Sequence, residues 1–268
     1  MSAPRLKLRK YAVAAIAAVQ ERLAYRGSFL GEGLTYALWV FVFSRIWRAA
    51  YAGRAELAGY GLSQMVWYFI AAELPSFAPG RPFWSLSDDM KSGQVAYLVS
   101  RPYDFVAYNF SQGAGQALAS GLAYLAEGIL LGLAFAGPLP VSSVLQAAAA
   151  LASLALAASI QYLLQLAIAM TAFWAEENSA FYWIFSKLAL VLGTLMPLEM
   201  LSETAQRVTW WTPFPALAYV PARILAAWPG APAAARLLGF QLAWLALSFL
   251  ACEAIYAAAR SRFAVNGG

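Results

Sequence analysis

Apolar residues along the chain fall into six long runs, at 28–49, 61–79, 104–136, 141–172, 180–200 and 233–258. A hydrocarbon layer of about 30 Å takes about 20 mainly apolar helical residues, so each run reads as a membrane-spanning helix. The second run is the weakest, because Gln64, Glu73 and Pro75 interrupt it, but the aromatic run Trp67-Tyr68-Phe69 supports it. The pattern therefore predicts an all-α integral membrane protein with six transmembrane helices. The 268 residues leave no room for a large soluble domain beside these spans, so 1–268 reads as a single domain.

Three stretches depart from this pattern. At the start, Arg5, Lys7, Arg9 and Lys10 precede an alanine-rich run, as in a signal peptide, until Gln20-Glu21-Arg22 interrupts it. Residues 1–27 are better read as an uncleaved interfacial helix. Val13, Ile16, Val19 and Leu23 form its apolar stripe, with Glu21, Arg22 and Arg26 turned away. Within the loop 80–103, Trp84, Leu86 and Met90 alternate with Asp88, Asp89 and Lys91 as on a short amphipathic helix, with Gly93 and Pro102 as stops. Such an element suits docking of a partner protein. Finally, Pro197, Pro213, Pro215, Pro221, Pro229 and Pro232 punctuate apolar pieces too short to cross. The segment 198–232 is expected to form re-entrant helices dipping into the outer leaflet, which requires neighbouring protein to satisfy the broken backbone.

Composition agrees: hydrophobic residues make up 62% and charged residues 12%, with a mean hydropathy of +0.61, against roughly 25% charged residues in soluble domains. The net charge of +5 does not indicate nucleic acid, because the basic residues sit at the ends of apolar runs. With both termini inside, twelve Lys and Arg fall on the inner side and six on the outer, which favours cytoplasmic termini. Histidine is absent and Cys252 is the lone cysteine, which removes disulfides, thiolate metal clusters and most hydrolase triads. No G-x-x-x-x-G-K-[ST] string occurs, so the chain is not expected to hydrolyse ATP itself. No catalytic residues and no metal ligands are assigned.

Four carboxylates lie within the predicted spans, where an ionised group must face a polar interior or a partner. Glu32 and Glu253 sit near span ends, whereas Glu73 and Glu127 are deeper and are the candidates for a translocation path. Glu176-Glu177-Asn178 reads as a turn, since adjacent helical residues do not face one site. Gly113-x-Gly115 reads as helix packing. Gly27-x-x-x-Gly31 and Gly128-x-x-x-Gly132 suit close helix approach, within one chain or across a dimer.

Met90-Lys91-Ser92-Gly93-Gln94-Val95-Ala96-Tyr97-Leu98-Val99-Ser100-Arg101-Pro102 resembles the membrane permease subunits of type-two ATP-binding-cassette (ABC) exporters. Phe173-Trp174-Ala175-Glu176 with Tyr182-Trp183, and Met196-Pro197-Leu198-Glu199, are similar to the same branch. The resemblance covers nearly the whole chain. It implies that residues 83–95 form a cytoplasmic coupling helix seated on a separate ABC ATPase subunit, with Trp84, Leu86, Asp88, Asp89, Met90 and Lys91 at that contact. It further implies that a second permease chain, identical or paralogous, completes the path in a bacterial inner membrane. ATP and magnesium would then belong to the partner ATPase, with no cofactor bound by this chain. A substrate-capture membrane subunit of a vitamin importer is the alternative, and a multispan enzyme is disfavoured by the missing histidine.

Overall fold

The structure, a computed structural model, describes residues 3–24, 26–91, 103–175 and 177–266. Helix α1 (Ala3–Ala24) leads into α2 (Arg26–Ala50). A two-residue hairpin, β1 (Glu56–Leu57) with β2 (Tyr60–Gly61), precedes α3 (Leu62–Phe77). Next come α4 (Pro82–Lys91), α5 (Phe105–Phe135) and α6 (Val144–Met170). Helix α7 (Ser179–Ala189) continues as a π turn over Leu190–Thr194, and α8 is Glu203–Trp210. A second π turn, Pro215–Tyr219, runs into α9 (Val220–Ala226), and α10 spans Ala231–Asn266.

Among the described residues, the stretches Phe105–Phe135, Val144–Phe173 and Ala231–Ala259 are long and apolar enough to cross a membrane. Helix α2 has the length as well, but Arg26, Glu32, Arg45 and Arg48 charge its two ends. Helix α3 is different in kind, because every residue from Met65 to Pro75 is buried. Apart from Glu73 its buried residues are apolar, and it forms the centre of the bundle, packed by α2, α5, α6 and α9. The Gln64 side chain reaches back to accept from the Gly61 N–H at 3.0 Å, which satisfies a donor at the first turn. The hairpin before it turns through Ala58 (φ 50°) and Gly59 (φ 81°), and its Tyr60 carbonyl accepts from the Tyr51 hydroxyl at 2.7 Å.

Among the described residues there are three apolar cores, a small one around Ile160, Phe185 and Phe214 and two larger ones. The one nearer the hairpin gathers Tyr36, Trp67, Phe69, Tyr124 and Ile224; the one nearer α4 gathers Phe83, Leu86, Phe105, Leu163, Leu166 and Cys252. The glycines of α5 receive neighbouring groups rather than a second glycine face. Gly113 meets the Tyr162 ring, Gly115 the Ala15 carbonyl, Gly128 the Tyr36 hydroxyl with Ile70, and Gly132 the Trp67 indole. Among the described residues, nothing lies against Gly27 or Gly31.

Helix α1 follows the first half of α5, from Tyr11 beside Asp104 to Arg22 beside Ser120. Its buried face is Ala14 and Ala18, while Val13, Ile16 and Leu23 are exposed. Glu21 points outward as expected, but Arg22 does not. Its side chain is 14% exposed and ion-paired to Glu32, because that carboxylate, deep against α5, needs a counter-ion.

The proline-broken segment divides unequally. Helix α8 is largely at the surface, with Val208 and Trp211 exposed, whereas the π turn and α9 are buried. Two glutamines supply the backbone satisfaction that such a buried short helix demands. Gln146, fully buried at the start of α6, brings its amide nitrogen to the carbonyls of Ile224 (3.2 Å) and Leu225 (3.0 Å) at the end of α9. Gln241 of α10 donates to the Ala216 carbonyl at 2.8 Å and accepts from the Ser153 hydroxyl at 2.8 Å.

Candidate functional site

A cavity of about 410 Å³ lies between α2, α3, α6 and α7, running from Gly80, Arg81 and Trp84 beside α4 up to Leu190 and Thr194 of the π turn. Its walls are aromatic and polar together: Trp39 and Thr35 come from α2, Phe77 from α3, and Tyr182 and Trp183 from α7. Glu73 also lines it, with the residue 8% exposed. Gln161 and Gln165, one turn apart on α6, face it from the opposite side. This i, i+4 pair of amides in an otherwise apolar helix was the sequence signal for the second wall.

Of the two deep carboxylates that are candidates for a translocation path, Glu73 lines this space and Glu127 does not. Glu127 rests against Gly33 on the α2 side of α5. Glu32 sits at the cavity's α4 end within a charge cluster. It is bonded to Arg22, accepts from the Tyr124 hydroxyl at 2.9 Å, and lies 3.9 Å from Arg81. Arg22 also donates to Ser120 at 2.7 Å, so α1, α2, α5 and the turn before α4 meet at one carboxylate. Glu253 approaches Asp104 where α10 passes the start of α5.

Helix α4 is built with one face inward. Phe83, Leu86 and Ser87 are buried against the end of α6, and the Phe83 ring stacks on Tyr182 at 4.6 Å between centroids. Leu86, 3% exposed, therefore seats the helix on its own chain. Trp84 is partly exposed at the cavity edge, against Tyr182 and Trp183. Asp88 is exposed, and Asp89 is partly buried, its carboxyl pushed above the ordinary carboxylate range by that burial and then by the Asp88 charge beside it. The side chains of Met90 and Lys91, and the motif residues 92–102, lie outside the described residues.

The other motif segments serve the same architecture. Asn178 is buried, and its amide donates to the Ile168 and Ala169 carbonyls, both at 3.2 Å, closing the end of α6. That turn presents Tyr182 and Trp183 to α4. Among the described residues no group of three His, Cys, Asp or Glu could hold a metal ion.

At the far end of the cavity, the Tyr68 hydroxyl donates to the Gly193 carbonyl at 2.8 Å, and Gly193 packs against the second π turn at Phe214 and Ala218. Beyond it, Glu199 of the Met-Pro-Leu-Glu segment accepts from Tyr219 at 2.7 Å, with Tyr60 at 3.5 Å and Arg223 at 3.8 Å. This cluster ties the hairpin, the end of α7 and α9 together, and sequence reading assigned it no role. Its signal was an arginine, Arg223, within an apolar proline-broken segment.

No curated protein matches the chain. The family model of the ABC-2 family transporter proteins matches residues 34–267, from the wall of α2 through α10. A match over most of the chain, on an all-α membrane architecture with a polar cavity among its helices, shows that this protein belongs to the ABC-2 family of transporter proteins.

Proposed function

We propose that the chain is the permease subunit of an ABC exporter, in which two permease chains enclose the path and two ABC ATPase subunits drive it through α4. The observation that carries this reading is the half-built cavity. Its walls α2 and α7 also carry apolar side chains that the single chain leaves uncovered, including Leu34 (74% exposed), Leu38, Ile184 and Leu188. A second permease chain facing these helices would complete the enclosure. The six-span topology, with both termini and α4 in the cytoplasm of a bacterial cell, supplies the orientation. The cavity then lies towards the ATPase side, with the Glu199 cluster towards the outside. That arrangement supports outward transport.

The exposed Asp88 of α4 would meet the ATPase, while Phe83 and Leu86 transmit its movement to α6 and α7. Co-expression with the partner ATPase tests this. Asp88→Arg is expected to weaken co-purification or uncouple ATP hydrolysis, with Glu56→Arg at the hairpin end as the neutral control. Intact assembly and normal coupling in Asp88→Arg would remove α4 from the mechanism. A vitamin-capture subunit would instead bind its ligand tightly as the isolated chain and show no outward transport in proteoliposomes.

A further inference from the structure

The chemistry of the cavity restricts what it can hold. Glu73 is buried at membrane depth, and among the described residues no hydrogen bond or ion pair reaches its carboxylate. A charge in that position is costly without a partner. The other ionisable groups lining the cavity are engaged elsewhere or lie near its rim. Glu32 is held by Arg22 and Tyr124, Arg81 is beside Glu32, and the Lys187 ammonium lies over the Trp183 ring at 5.8 Å. Gln165 also lines the cavity, but its carboxamide oxygen is buried away from that space and has no hydrogen-bond partner. Glu73 is thus an acceptor without a donor in a space lined by Trp39, Phe77 and Trp183.

We propose that this cavity recognises an amphiphilic amine. A protonated primary or secondary amine would donate an N–H group to Glu73, and its apolar or aromatic body would lie against the Trp39, Phe77 and Trp183 rings. The ammonium supplies the missing counter-charge and the missing donor together. Aromatic faces add cation–π attraction. A quaternary ammonium carries the charge but no N–H, and a neutral alcohol carries a donor but no charge, so each satisfies half of the site. The volume of about 410 Å³ falls within the roughly 300–1,000 Å³ usual for small-molecule sites. This deepens the permease reading and rests on it for the role of the bound amine as cargo.

The test is calorimetric titration of the full chain in nanodiscs, corrected against empty nanodiscs. The probes are 2-phenylethylamine and 2-(1-naphthyl)ethylamine, each with its N-trimethylated counterpart and its corresponding alcohol. At least one amine should bind tenfold or more tighter than both its counterparts. Glu73→Gln should erase that preference, Glu73→Asp should retain part of it, and Glu203→Gln on the exposed α8 should leave it unchanged. Equal binding of amine and alcohol, equal binding of amine and trimethylated amine, an undiminished preference in Glu73→Gln, or binding by neither amine would each overturn the proposal. Assembly with the ATPase is scored separately. Amine selectivity without assembly would sink the permease reading and leave the site standing; assembly without selectivity would do the reverse.

Discussion

Neutralising Glu32 should loosen α1 from the bundle, with an energy that the structure bounds. The carboxylate holds Arg22 and the Tyr124 hydroxyl, and the two charged side chains are 14% and 19% exposed. Removing one member of a fully buried pair costs about 3–5 kcal/mol, and an exposed pair contributes about 0–1 kcal/mol. With Ser120 still bonded to Arg22, Glu32→Gln should fall between these limits, at about 2 kcal/mol. For a chain of this size that corresponds to a fall of about 4–8 °C in the melting temperature, read in detergent by intrinsic fluorescence. Arg22→Gln should cost a similar amount. The double variant should cost clearly less than the two singles together, with a coupling of about 1 kcal/mol or more. The exposed Arg207–Glu203 pair, at 81% and 88% exposure, is the matched control and should show no measurable coupling. Strict additivity of Arg22→Gln and Glu32→Gln would refute the ion pair as the anchor of α1.

Leu86→Ala should destabilise the isolated chain by about 2–4 kcal/mol in thermal melts, because Leu86 is buried within its own core. A change confined to ATPase assembly would instead place it at the partner contact. Gln146→Leu should cost about 2–3 kcal/mol and expose α9 to protease, since it strips the Ile224 and Leu225 carbonyls of their donor. In a Cys252→Ser background, a cysteine at Ala55 should label from outside intact cells and one at Ser85 only after permeabilisation; the reverse pattern would invert the topology. Because burial raises the carboxyl of Asp89 above its unfolded value, its ionisation disfavours the folded state as pH rises from the ordinary carboxylate range. Asp89→Asn should therefore flatten the pH dependence of stability there, read by melts across pH; an unchanged dependence would show that the carboxyl is solvated.

The elements themselves were legible because period and length carry them. The first four apolar runs became helices within about three residues of the expected limits, whereas the fifth gives way to a π turn ending at Thr194 and the last continues to Asn266; α4 began at Pro82, one residue before the expected start. What the sequence hid is direction. Leu86 and Trp84 share the apolar side of α4, yet only the fold shows that Leu86 faces Leu163 and Leu166 while Trp84 edges a cavity. Arg22 reads as a solvated charge because nothing in the local pattern announces that Glu32 will lie beside it, one helix later. Gln146 and Gln241 read as tolerated polar residues in apolar helices. Their meaning depends on which broken carbonyls another segment brings to them, and that is a property of tertiary contact alone.

The two ends of the cavity are built on different physical terms, and this sets where movement is cheapest. At the α4 end the closing groups are an exposed charge and half-exposed rings, namely Arg81, Trp84 and Trp183, of which Trp84 would move with α4. At the hairpin end the seal is backbone. The π turns at Leu190–Thr194 and Pro215–Tyr219 pack together at Gly193, where an added methyl group would lie 2.9 Å from the Phe214 carbonyl. A π turn is a rare, single-turn interruption of an α-helix that occurs frequently at functional sites. Here its carbonyl is held by the buried hydroxyl of Tyr68, a residue of the central helix α3 that also carries Glu73 five residues on. A ligand held at Glu73, as proposed, would thus act on the same helix that latches the π turn, while the Glu199–Tyr219–Arg223 cluster holds the far side. On the proposed permease reading, opening towards the hairpin end would require Tyr68 to release Gly193, whereas opening towards α4 would leave that bond intact, so α3 would be the element through which cavity and seal exchange.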